Sequence, residues 1–246
     1  MRILVVDTAT PATVVGLAAD GVTVERRHDP APGERPGHAS EILALSHAVL
    51  TEAGLGWSDL DRIAAGVGPG SFTGLRIGVS TARALAQASG AELAAVSTLG
   101  ALASDVAEHL AAAGAAPPGG DAVARHEMAA LPPILAVLDA RRGEAFAAVL
   151  LPGAALGPPA ALTPDALVAL VATLPAAPLA VGDGAARFRE ELEAAGATVP
   201  EDGSALHRVR AAGLLRLAAA APAIGREALV PDYVRRPDAK PRSEQP

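Results

Sequence analysis

Gly66-Val67-Gly68-Pro69-Gly70-Ser71-Phe72-Thr73-Gly74-Leu75-Arg76-Ile77-Gly78 decides how this chain is read. It follows an apolar, strand-like stretch, residues 62–67, and leads into a helical pattern over 75–88 that stops at Gly90. The string is therefore a strand, a glycine-rich loop and a helix in succession. Glycines at 68, 70 and 74 permit close backbone approach and positive φ, and Pro69 fixes one torsion. Loop amides followed by a helix N-terminus make an anion cradle. The Lys-Ser/Thr pair of a Walker A loop is missing, which excludes a P-loop.

Working outward, residues 2–6, 14–18 and 22–26 read as a strand meander around the polar turn 7–13. A Pro/Gly-rich loop, 29–37, precedes a helix over 40–53 that Gly54 ends, with Ile42, Leu45, Val49 and Leu50 on one face. Residues 93–96 form a further strand, and Ser97 or Thr98 caps a helix running to about 113. Residues 114–133 break the pattern and mark a lobe boundary. Strands at 134–138 and 145–151 flank the turn 139–144. Thr163-Pro164-Asp165 starts a helix with a cap, a first-turn proline and an acid. A short strand at 179–181 leads through Gly182-Asp183-Gly184 to a helix ending near Gly196, and a last helix spans 205–221. Strands first in a meander and then interleaved with helices, twice over, give two α/β lobes. The expected division is 1–113, 114–203, and a final helix and tail, 204–246, packing back across the lobes.

The 246 residues suffice for a real core, but aromatics are 2% of them, so that core must be built from Ala, Leu and Val. No apolar run reaches the length of a membrane span and no signal peptide opens the chain; with no cysteine, a cytoplasmic address is expected. The net charge of −7 argues against this chain as a main nucleic-acid-gripping surface. The concentrated basic segment is the tail, Arg235, Arg236, Lys240 and Arg242, readable as solvated or as an RNA contact.

The signature string closely resembles that of the TsaB family, bacterial partner proteins in threonylcarbamoyladenosine synthesis on tRNA. Met1–Gly21 resembles that family's opening hairpin, "VLDARRGEAF" (137–146) its central element, and "LVPDYVRRPDAK" (229–240) its Pro-x-Tyr-x-Arg tail. The resemblance implies a two-lobed actin/sugar-kinase/Hsp70-like fold with duplicated ribonuclease-H-like lobes. It also implies a non-catalytic subunit that pairs with a TsaD-like catalytic paralogue and a TsaE-like ATPase and meets tRNA mainly through the complex. No cofactor is required by the chain alone, ATP or ADP is allowed within the complex, and a homodimer is a further option. The competing reading is a divergent ATPase or sugar-kinase-like enzyme using Asp7, Ser71, Thr73 and Asp183.

The candidate residues fall in two groups. For a nucleotide or phosphate, the resemblance points to Asp7, Thr8, Thr10, Gly70, Ser71, Thr73, Arg76, Asp139, Gly182 and Asp183. Each has a structural alternative: a turn carboxylate at Asp7, a helix cap at Ser71 or Thr73, an ion pair at Arg76, and a turn network of Asp139, Arg141 and Glu144. For a partner, Gly74, Gly78, Ala82 and Ala86 recur every four residues and form a strip on which another helix can approach closely. With Leu75 and, on the preceding helix, Ile42, Leu45 and Val49, they are expected to form the seam; packing inside the lobe is the alternative. No His-x-x-x-His or His-Glu-x-x-His pattern exists around His38, His47 or His126, and no metal or catalytic residue is assigned. His28, His109 and His207 read as surface or cap residues.

Overall fold

The computed structural model describes residues 1–31, 33–114 and 131–235. Strands β1 (Ile3–Asp7), β2 (Thr13–Ala19), β3 (Val22–His28), β4 (Arg62–Gly68) and β5 (Glu92–Ser97) form a five-stranded sheet in the order β3-β2-β1-β4-β5. The first three pair antiparallel, and β4 and β5 add in parallel. A second sheet, from β6 (Ile134–Asp139), β7 (Ala145–Leu150), β8 (Ala160–Leu162) and β9 (Leu179–Val181), has the order β8-β7-β6-β9. Its pairing repeats that of the first: two antiparallel steps, then a parallel strand beside the first-formed one. The ribonuclease-H-like lobe is thus present twice, the second time with four strands among the described residues.

Period-two patterning gives each sheet two apolar faces. Ile3 and Val5 point into one core, Leu4 and Val6 into another. Helices α1 (His38–Glu52) and α2 (Phe72–Ser89) cover the outer face of the first sheet. Helix α3 (Thr98–Gly114) and helix α7 (Ala211–Ala220) lie between the sheets, joining Ile3, Val5 and Val14 to Ile134, Ala136 and Leu138 in one core. Helices α4 (Pro164–Ala172), α5 (Asp183–Arg187) and α6 (Arg189–Ala194) accompany the outer face of the second sheet, packed on Leu135 and Val137. Alanine supplies much of the inner core, as the near-absence of aromatics required.

The last helix leaves the second lobe and packs on β1 and β2 of the first. Arg62, buried on β4, fastens its end by donating to the carbonyls of Ala218 and Ala221, both at 2.8 Å. No helix among the described residues is long and apolar enough to cross a membrane.

Several boundaries differ from the sequence reading. Helix α2 begins at Phe72, three residues before the expected Leu75, because Ser71 is its cap and accepts from the Gly74 amide at 3.3 Å. The last helix begins at Ala211; Ala205–His207 is a separate single turn. The helix after Gly182 breaks at Phe188, whose backbone (φ −103°, ψ 33°) leaves the helical region. Strand β8, Ala-Ala-Leu, was not foreseen, since alanine carries no strand preference and sheet pairing alone defines it. Residues 115–130, most of the expected boundary loop, lie outside the described residues.

Candidate functional site

The carboxyl ends of β1, β4, β6 and β9 converge between the lobes, where open α/β sheets place their ligand sites. A cleft of about 570 Å³ lies there. Thr10, Pro11, Gly70, Ser71 and Thr73 line it from the first lobe, and Leu138, Asp139, Arg141, Arg142, Phe146 and Asp183 from the second. A third wall comes from the tail, Asp232 to Arg235. Five of the residues named for a nucleotide thus meet on the first-lobe and second-lobe walls as a hydroxyl group set, Thr10, Ser71 and Thr73, facing two acids, Asp139 and Asp183. Gly70 completes the set, and Gly182 stands next to it, its carbonyl 2.9 Å from His207 Nδ1.

Asp7, Thr8 and Arg76 do not line this cleft. Asp7 and Thr8 are both fully buried. The Asp7 carboxylate accepts from the Ala9 amide (2.9 Å) and from the Thr98 hydroxyl (2.7 Å). A methyl group at Gly66 would stand 1.8 Å from its Oδ2, so only glycine leaves room for the carboxylate. Burial pushes the Asp7 pKa above its ordinary value, and the two hydrogen bonds pull it part of the way back. Thr8 donates its hydroxyl proton to the Gly74 carbonyl at 2.7 Å. Arg76 donates to the Tyr233 hydroxyl (3.1 Å) and lies 4.0 Å over the Phe72 ring, on the outside of α2.

The second-lobe acids differ from Asp7 in their partners. Asp139 accepts from the Arg141 amide and from Arg187, each at 2.8 Å. Asp183 accepts from the Asp139 amide at 3.0 Å. Burial raises the Asp183 pKa, the Asp139 amide lowers it in part, and the neighbouring Asp139 charge raises it again. Arg141 and Arg142 both hold positive φ (62° and 55°), a conformation costing a non-glycine residue about 1–2 kcal/mol. The turn thereby carries two adjacent guanidinium groups at the cleft wall.

Comparison with known proteins bears on what this architecture is. A family model described as TsaD, tRNA N6-adenosine threonylcarbamoyltransferase, matches residues 34–151. The tRNA threonylcarbamoyladenosine biosynthesis protein TsaB of Escherichia coli is 43% identical over 99 residues, 40% of this chain and 41% of that protein. An uncharacterized protein of Mycobacterium tuberculosis is 39% identical over 106 residues, 41% of this chain and 47% of that one. The chain thus spans less than half the length of the curated relatives it matches. Solved structures extend the likeness over the whole fold. YeaZ from Pseudomonas aeruginosa is 25% identical with a TM-score of 0.71, covering 94% of this chain and 99% of that one. A second Pseudomonas aeruginosa structure, described as similar to peptidase YeaZ, is 26% identical with a TM-score of 0.73, covering 95% and 99%. The chain is similar to the TsaD/YeaZ family, in sequence over residues 34–151 and in fold over nearly its whole length.

Within this fold, the strip read as a partner seam faces the other way. Gly74, Leu75, Gly78, Ala82 and Ala86 are buried, as are Ile42 and Val49, and Leu45 is half-buried. What approaches the glycines closely is the turn after β1. A methyl at Gly74 would stand 2.0 Å from the Thr8 carbonyl oxygen, and one at Gly78 2.4 Å from Thr8 Oγ1. Leu43 of α1 and Phe72 at the start of α2 are each about half exposed, with Arg76 over the Phe72 ring, and Phe72 also lines the cleft. Tyr233 joins them from the tail, its ring 5.2 Å from that of Phe72.

Two further readings are corrected. His207 is buried, with Nε2 3.0 Å from the Pro200 carbonyl. Arg235 is neither a solvated tail residue nor free for RNA: it binds the Ala140 carbonyl at 3.0 Å and the Glu144 carboxylate. Arg236, Lys240, Arg242 and His126 lie outside the described residues. Sequence reasoning missed Phe146, Tyr233 and Arg235 as cleft residues. The signal was present in the Pro231-Asp232-Tyr233-Val234-Arg235 motif, quoted as a family likeness but given no place in the site. Among the described residues no three His, Asp or Glu side chains group as metal ligands.

Proposed function

We propose that this chain is a non-catalytic subunit of the machinery that makes threonylcarbamoyladenosine on tRNA. It pairs with a TsaD-type paralogue and works with a TsaE-type ATPase. The observation that carries this reading, beside the family match, is the sequestration of Asp7 and Thr8. Resemblance to kinases and ATPases of the fold assigns metal and phosphate to an acid and hydroxyls in this hairpin. Here both side chains are fully buried and bonded to Thr98, Ala9 and Gly74. The pairing surface is the outer face of α1 and α2, where Leu43, Phe72 and Tyr233 leave apolar surface exposed. Pairing acts by stabilising the partner's competent conformation.

A nucleoside phosphate is the ligand class that suits the cleft within such a complex. Phe146 and Tyr233 offer ring surface, Arg141 and Arg142 positive charge, and Ser71 and Thr73 hydroxyl donors beside the α2 N-terminus. Titration calorimetry with ADP, on the chain alone and on the complex, tests that assignment; no heat from either would remove it.

The deciding experiment is reconstitution. Purified TsaD-type and TsaE-type proteins, tRNA and the activated threonylcarbamoyl donor are incubated with and without this chain. Modification is expected only with it, and the chain alone is expected to be inert. Phe72→Asp, at an exposed position, should keep the fold and weaken pairing by about tenfold or more. Equal modification without the chain overturns the proposal. ATP turnover by the chain alone would favour the enzyme reading, and sedimentation would show a homodimer on the same face.

A further inference from the structure

Among the described residues the lobes are joined in the inner core and again, at the cleft, by the tail. The first junction is the inner core, in which α3 and α7 bind both sheets. Residues 229–235 make the second at the cleft wall. Leu229 is fully buried in the outer core of the first lobe, and the Asp232 amide donates to the Val67 carbonyl at 2.7 Å, beside the end of β4. Tyr233 accepts from Arg76 and packs on Phe72 of α2. Two residues later the chain holds the second lobe. Arg235 bonds the Ala140 carbonyl and the Glu144 carboxylate, and its guanidinium lies 5.6 Å from the Phe146 ring centre.

Ala140 and Glu144 are the two ends of one turn, closed by the Ala140 amide donating to the Glu144 carbonyl at 3.0 Å. Between them stand Arg141 and Arg142 at positive φ. Arg235 therefore grips both ends of the turn that presents these arginines to the cleft, from a segment anchored on the opposite lobe. Asp232, Tyr233, Val234 and Arg235 also line the cleft, so whatever fills it touches the strap.

We infer that residues 229–235 form an interlobe clasp, with Arg235 as its latch, that fixes the separation of the lobes and holds the Arg141–Arg142 turn against the cleft. The inference is independent of what binds there and of which partner docks. Releasing the latch leaves the inner core intact, so the lobes pivot on α3 and α7 and the cleft widens. The pivot follows from placement: one attachment is a large apolar core, the other a short strap with one charged contact at its far end.

The chain has no cysteine, so spin labels can be set without background at Thr23→Cys on the first lobe and Glu190→Cys on the second, both exposed positions. Pulsed electron–electron resonance then reads the interlobe distance. The parent should give a narrow distribution. Arg235→Glu and, separately, Glu144→Arg should each broaden it and shift it to longer distance while circular dichroism stays unchanged. The double charge swap, Arg235→Glu with Glu144→Arg, should narrow it in part, since it restores the ion pair but not the bond to the Ala140 carbonyl. Should one single variant fail to fold, the other supplies the comparison. Unchanged distributions in the folded single variants overturn the inference, as does a swap no narrower than either single variant.

Discussion

At the residue scale, Asp7 shows how burial redirects a candidate. Its position, last in the first strand and inside a hydroxyl-bearing turn, was legible from the sequence. Its neighbours were not, because Thr98 lies 91 residues away and Gly66 reads as a loop glycine, not as the space a carboxylate needs. The raised pKa makes a signed prediction. Below the ordinary carboxylate value of 3.8 both folded and unfolded chains hold the proton, and burial of the group carries no ionisation penalty. As pH rises through that value the unfolded chain releases its proton first, so stability falls until the raised native value is passed and then levels. Asp7→Asn removes this slope while keeping an acceptor for the Ala9 amide. Urea midpoints from about pH 4 to about pH 8 should therefore rise for the variant relative to the parent, and parallel curves would refute the assignment. His38 has the opposite dependence. It is buried at the start of α1, with Nδ1 2.9 Å from the Thr13 hydroxyl and Nε2 unpartnered. Burial and then the charge of His28 hold its pKa below 6.5. The unfolded chain then takes up the proton first, and stability is lost as pH falls below 6.5. His38→Asn should flatten the urea-midpoint profile between about pH 7 and about pH 5; a profile as steep as the parent's would show that other groups carry it.

At the scale of elements, helix α2 separates what periodicity fixes from what it leaves open. A spacing of four placed Gly74, Gly78, Ala82 and Ala86 on one face and foretold close approach. It could not tell which body approaches, since a small-residue face serves a backbone turn as well as a partner helix. Burial decides for the turn after β1, and the opposite face is the one left exposed. The consequences for substitution invert. Gly78→Ala gains helix propensity, yet its methyl would stand 2.4 Å from Thr8 Oγ1, and overpacking should cost about 1–3 kcal/mol in denaturant unfolding. Gly78→Asp should not fold, because a charge is forced into that same contact. Phe72→Ser, on the exposed face, should fold and cost only about 1 kcal/mol, the worth of the ring's contacts with Tyr233 and Arg76. A stable Gly78→Asp protein would return the strip to the surface. Strand-type segments were read well where β-branched residues alternate, as in β1, and poorly in β8, whose Ala-Ala-Leu has no local preference to reveal.

At the scale of the molecule, the duplication hidden in the sequence lies in topology and in turn chemistry. Asp7 and Asp139 each end the first strand of their lobe, and each accepts from the amide two residues on, at 2.9 and 2.8 Å. Side chains on the two halves diverge because their neighbours do: one acid is sealed by Gly66 and Thr98, the other faces the cleft with Arg187. No window of sequence shows this, since the equivalence is of register and hydrogen bonding, not of residue type. The two lobes are also not two separable bodies. Leu214 and Ala218 of α7 and Leu229 beyond it are fully buried against first-lobe elements, and Arg62 of β4 holds the end of α7. A chain cut after residue 203 keeps every strand of both sheets but loses these contacts. It uncovers the inner face of β1 and β2, including Ile3, Val5 and Val14, and leaves the Arg62 guanidinium without the carbonyls it binds. Removing several large buried side chains at about 2–5 kcal/mol each exceeds the stability of an ordinary domain. The truncated protein should therefore be recovered as aggregate, or bind a hydrophobic dye and unfold without a cooperative transition. A soluble, cooperatively unfolding 1–203 fragment would mean that α7 is an appendage, and that the inner core closes between the sheets on α3 alone.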